Sequence, residues 1–299
     1  MAAMPQHYEL HDRQRTRVGL VAVALVSAVA VLVSAPRPSL AQSPVSPTPV
    51  AATVQAAPST SAATETLTSL RDKYRQQLAV YRDSERAFTI ANQQYQKLKT
   101  LAALEELVTA TRAVMLARIL VLETYTTLVQ ETLKQTSGIE LQRKNEQVRA
   151  LGDLVSQLKQ HQLLIEASTD RTKLADAAAI YTPLHQIAQE QNHKAMGMIA
   201  TGRVQTMFDQ VKIAKNIVSA YVDQTETNSL RKAEKQRGLA EVERNLTATG
   251  ADLEKITAED AKAAARASVS SFPRLIEQLT QVYGGVTRTL TYLQEVVQP

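Results

Sequence analysis

Hydrophobic side chains recur at three- and four-residue steps along most of this chain, the spacing that places them on one face of an α-helix. Leu67, Leu70, Tyr74, Leu78, Tyr81, Phe88, Ala91, Tyr95 and Leu98 trace a first long helix. A second and more apolar one is expected from about Leu101 to Lys134. Its AVMLARILVL run at 113–122 is too short to span a bilayer and carries Arg118, which suits a central helix of a bundle. Thr136, Ser137 and Gly138 break the pattern, and Ser137 with Glu140 has the spacing of a capping box that opens a third helix. The expected seam of that helix is Leu141, Val148, Leu151, Val155, Leu158 and Ile165.

Ser168, Thr169 and Asp170 supply the next break, and a long fourth helix is expected to about Asp223, bent where Pro183 removes a donor. The stretch from Ser229 through Ile256 keeps Leu239, Val242, Leu246, Leu253 and Ile256 in phase across Gly250. Thr257 with Asp260 again resembles a cap. A last helix carries Ala265, Val269, Phe272, Ile276, Leu279, Tyr283, Val286, Leu290, Leu293 and Val297, with Pro273 and the Gly284–Gly285 pair read as kinks. No segment shows sustained strand alternation, and no fixed-period repeat is present. The predicted fold class is all-α, an elongated antiparallel helical bundle with a coiled-coil character, over residues 67–299.

The first part of the chain follows a different rule. Arg13, Arg15 and Arg17 precede an uncharged run from Val18 to Ala35, followed by Pro36, Arg37, Pro38, Ser39, Leu40 and Ala41. A positive stretch, an apolar stretch and then small residues at Ser39 and Ala41 make an export signal, 1–41, with cleavage expected after Ala41. The competing reading is an uncleaved membrane anchor through Val18 to Ala35, because the run sits at the lower length limit of a spanning helix. Either way the rest of the chain is expected outside the cytoplasm: secreted, periplasmic or at the cell surface, and single-pass if the signal is retained. Residues 42–66, with Pro44, Pro47, Pro49 and Pro58 among Ser, Thr and Ala, read as a disordered linker too polar to offset its own ordering entropy.

Composition sharpens this picture by exclusion. Cysteine and tryptophan are absent and only three Phe occur, which removes disulfides and thiolate chemistry and suits narrow helix seams. The formal charge of +5 falls to +3 once the four basic and two acidic residues before position 42 are set aside. A surface so evenly balanced is not one for nucleic acid. There is no phosphate-cradling glycine loop, nucleophile elbow, metalloprotease motif or distinctive carboxylate pair, and neither a cofactor nor a metal is expected.

Candidate chemistry is correspondingly sparse. Tyr74, Tyr81, Phe88 and Tyr95, seven residues apart, could stack a ligand but read more simply as a core seam. His185, Gln189 and His193 face one way on the fourth helix, inside a polar run, QEQNHK at 189–194, that interrupts an apolar face. This is the expected ligand or hinge region. The two imidazoles are two turns apart, about 12 Å along the axis, too far to hold one ion from a single helix. Met196, Met198 and Met207 with Gly197 and Gly202 read as irregular core filling where helices approach closely. Arg231, Lys232, Lys235 and Arg237 make a basic patch of mixed surroundings, and Arg112 and Arg118 are expected to pair with glutamates or to snorkel. The class these features leave is a non-enzymatic extracytoplasmic structural or interaction protein that presents helix faces to an envelope or surface protein or to itself. The alternative is a sensor-like bundle binding a ligand near His185, Gln189 and His193.

Overall fold

The computed structural model describes residues 60–225, 228–264 and 271–297, and side chains within 65–224, 228–262 and 272–297. The segments expected to be signal and linker lie outside these residues, apart from the linker's last positions. Six helices account for nearly all of what is described: α1 Thr60–Leu98, α2 Leu101–Gln135, α3 Leu141–Ala167, α4 Arg171–Thr225, α5 Ser229–Ala264 and α6 Ser271–Val297. Among the described residues there is no strand. All six helices belong to one unit, 58–299.

α1 starts at Thr60, within the stretch 42–66 expected to be linker. The physical reason is local. After Pro58 the residues Thr60 to Thr66 contain two alanines and a glutamate and no proline, so nothing stops the helix from running back to that point. The turn into α2 is tight: Lys99 takes φ 50° and its N–H bonds the Tyr95 carbonyl at 2.9 Å. The Thr100 hydroxyl then caps α2 by accepting from the Ala103 N–H at 3.3 Å.

α4 is the common element. Its first half packs with α2 and α3 around Ile119, Leu154, Leu158, Ile165, Leu174 and Leu184, and further along around Val129, Leu133, Leu151, Ala195 and Met198. Its second half packs with α5 and α6 around Phe208, Val211, Val242, Leu246, Leu279 and Val286. Two three-helix packs thus share one 55-residue helix. α1 lies on α2 alone, which is why its seam residues are half-buried and only Ala91 among its described side chains is fully covered.

Several local expectations are corrected. Ser137 does not cap α3; its hydroxyl meets the Thr206 hydroxyl of α4 at 3.1 Å, and the N-terminal position of α3 is Glu140, with no side-chain cap. The working seam of α3 is Gln147, Leu151, Leu154, Leu158, His161 and Ile165, while Leu141 is exposed and Val148 and Val155 are half-buried. α4 runs through Pro183 as one long helix, as expected. Thr257 lies inside α5 and bonds back to the Leu253 carbonyl at 2.8 Å, and Asp260 is paired across to Arg143. Pro273 occupies the first turn of α6, where a missing N–H has no helical acceptor to disappoint, while Gly284 and Gly285 lie within one continuous element as expected. Ala265 and Val269 fall outside the described residues.

Candidate functional site

The polar run 189–194 lies where α4 passes from one pack to the other. Asn192 is buried, and its side-chain amide donates to the Thr126 hydroxyl of α2 at 3.1 Å and to the Ala188 carbonyl at 2.8 Å, leaving Oδ1 with no partner. Gln147 of α3, also buried, donates from Nε2 to both the backbone and side-chain oxygens of Gln191 at 3.1 and 3.0 Å. A polar layer therefore ties α2, α3 and α4 together inside an otherwise apolar seam. Such layers contribute little net stability but penalise wrong registers, because a shifted helix strands these groups.

The three residues singled out from the sequence do not come together. His185 is exposed and its ring is tilted against Tyr181 at 5.5 Å, in the first half of α4. Gln189 is half-buried. His193 lies flat on Phe272 of α6 at 4.8 Å with the planes 2° apart. Its Nδ1 is buried without a partner, and burial lowers its pKa from the ordinary imidazole value. Two turns separate the histidines, and each covers a different aromatic ring.

At the same level the turn between α2 and α3 presses on α4. Gly138, at φ 75°, backs onto Gly202, and a Cβ on Gly202 would stand 2.6 Å from the Ser137 carbonyl oxygen. Only glycine admits that approach. Arg143 of α3 pairs with Asp260 of α5, so an ion pair with both side chains largely covered links the two packs. Met196 accepts from the Tyr125 hydroxyl at 2.8 Å and Met198 is buried in the core, the role expected for soft side chains.

A second cluster was not legible as a site. Arg118 donates to the Tyr81 hydroxyl of α1 at 3.2 Å and its guanidinium lies 5.6 Å from the Tyr81 ring and 5.8 Å from that of Tyr181. Tyr181 in turn stacks on His161 at 5.9 Å. Burial pushes the Tyr181 phenol up to about 12 and also raises that of Tyr81. Arg118 thus meets rings and Arg112 meets the Glu166 backbone carbonyl, so neither makes the glutamate side-chain pair expected of it. The signal that could have found His161 and Gln147 is their step: both stand three or four residues from seam leucines.

The tyrosine stripe of α1 faces α2, with Tyr74 and Tyr125 rings 5.7 Å apart. The basic patch is diluted: Arg231 and Lys235 share a groove with Glu234, Glu241 and Glu295, and Lys232 donates to the Asp223 carbonyl at 2.9 Å. Among the described residues no group of three or more His, Asp or Glu could hold a metal ion, and no helix is long and apolar enough to cross a membrane. Fold and site together define an all-α helical bundle whose polar residues tie helices to each other. Comparison with protein-family models, with curated proteins and with solved structures finds no match.

Proposed function

We propose that this is a non-enzymatic extracytoplasmic protein, an elongated antiparallel bundle of coiled-coil character that uses helix faces to engage an envelope partner or a second copy of itself. The observation that carries the reading is a stripe on the second half of α4. Ile213, Ile217 and Tyr221, at four-residue steps, are 59%, 64% and 54% exposed on a helix that buries Val211 and Val222 in the core. Large apolar side chains repeated on one face cost solubility unless a surface covers them. Delivery outside the cytoplasm rests on the arginine-flanked Val18 to Ala35 run, which also supplies a membrane attachment if it is retained. A ligand-binding function would need His185, Gln189 and His193 to line one pocket, and the separate aromatic partners of the two histidines favour the interaction reading instead.

Crosslinking in intact cells followed by identification of the captured chain tests this, with light scattering on the purified protein alongside. Capture of an envelope protein or of the same chain, lost on replacing Ile213 and Ile217 by Lys, is the expected outcome. A monomer that captures nothing, or a C-terminal reporter retained in the cytosol, would overturn it.

A further inference from the structure

We propose that His161 makes the packing of α3 acid-sensitive: when the ring takes up a proton, α3 loosens from α2 and α4 and the seam of Leu154, Leu158 and Ile165 is uncovered. His161 is 2% exposed and stands in that seam, and neither of its ring nitrogens meets a protein donor or acceptor. A neutral imidazole there sacrifices hydrogen bonds, whereas an imidazolium would also bury an unpaired charge, which is far costlier.

The surroundings offer that charge no carboxylate and no hydrogen-bond acceptor at either ring nitrogen, and the Tyr181 face on which it stacks is already shared with Arg118. From α4 come Tyr181, stacked on the ring, and His185 beyond it. From α2 the Arg118 guanidinium faces the same Tyr181 ring, adding like charge. From α1 comes Tyr81, which accepts from Arg118 and donates to Glu85 at 3.1 Å. Nearby carboxylates are engaged elsewhere: Glu123 of α2 with Lys159 at 3.9 Å, and Glu166 of α3 with Gln162 at 2.7 Å. Asp176 is on the exposed side of α4.

The sign follows from linkage. Burial lowers the folded-state pKa of His161 below the ordinary 6.5, so below that pH the unfolded chain binds a proton that the folded chain refuses. The stability is fully present above about 6.5 and drains away as pH falls from there towards the folded value. Each unit of depression corresponds to about a tenfold loss in the closed-to-open ratio of the α3 seam.

The test uses the full chain and amide exchange, corrected for intrinsic pH dependence, at about pH 7.5 and about pH 5. Protection at Leu158 and Ile165 should fall with acid in the wild type and hold in His161→Phe, each amide being compared between the two proteins at the same pH. An equal fall in both proteins overturns the proposal. So does an NMR titration of the wild-type His161 ring with a midpoint at or above 6.5, a measurement that decides the matter even if the Phe variant and a second one, His161→Leu, fail to fold.

Discussion

The two packs that share α4 are built on different principles. The one formed with α5 and α6 is apolar almost throughout; among its described residues the fully buried polar side chains are Thr249 and Thr289, beside the half-buried His193 on Phe272. The one formed with α2 and α3 buries Thr124, Thr126, Gln147, His161 and Asn192 among its leucines. Apolar burial is strong but non-directional, about 1.5–3 kcal/mol for each large side chain, and tolerates sliding of one helix on another. A polar layer contributes less and tolerates sliding badly. Both sides supply cohesion through apolar seams, but the α2–α3 side adds side-chain hydrogen bonds between helices that fix register, and α4 must satisfy both.

The largest expected effect tests the cohesion half of that contrast. Leu279, 3% exposed in the α6 seam, should cost about 2–5 kcal/mol on replacement by Ala, read as a shift of the urea midpoint. Because α4 belongs to both packs, amide protection at Leu158 should fall along with that at Val242. A two-step transition in which the α2–α3 pack survives would show that the packs are independent. Next in size is Gly202→Ala, where a new methyl would meet the Ser137 carbonyl oxygen, Ile139 and Thr136 within 2.6–2.9 Å. Forcing the α2–α3 turn away should cost about 1–3 kcal/mol, and thermal melts would detect it.

The register half is tested by a double-mutant cycle on Asn192 and Thr126. Asn192→Leu alone strands the Thr126 hydroxyl in the core and should cost about 1–2 kcal/mol. Adding Thr126→Val removes the stranded group and should restore most of the loss, giving a coupling of about 1 kcal/mol. Broader amide resonances in the double variant, at unchanged stability, would be the mark of a slipped or mixed register. Additive losses would mean that the layer is ordinary core.

Much of this was legible from the chain. The helices over Leu101–Gln135 and Arg171–Thr225, and that from Ser229 as far as Ile256, follow from apolar spacing and from breaks at 136–138 and 168–170, since both depend on neighbours in sequence. What failed was of longer range. Ser137 looked like a cap for α3, but its hydroxyl is taken by Thr206, sixty-nine positions away, a partner that spacing cannot reveal. Thr257 and Asp260 looked like a start because a cap and a helix-interior Thr share one residue type; the Leu253 carbonyl and Arg143 claim them instead. The polar run at 189–194 was visible as an interruption, yet its meaning depended on Thr126 and Gln147, which stand opposite it on two other helices. His185 and His193 drew notice by their spacing, whereas buried His161 stood unremarked in a seam read through aliphatic residues alone.

The smallest effect concerns the link between the packs. Arg143 and Asp260, with side chains 24% and 18% exposed, join α3 to α5 and are partly shielded from solvent, so the pair falls between a surface ion pair and a buried one. Arg143→Gln keeps a hydrogen-bond donor and much of the volume while removing the charge, and should cost about 1 kcal/mol at low salt. Raising the ionic strength to about 1 M shortens the screening length to about 3 Å and should narrow the gap between wild type and variant. If the gap is unchanged by salt, the contribution is packing of the arginine stem rather than attraction between charges. In that case Asp260→Asn should leave stability where it was.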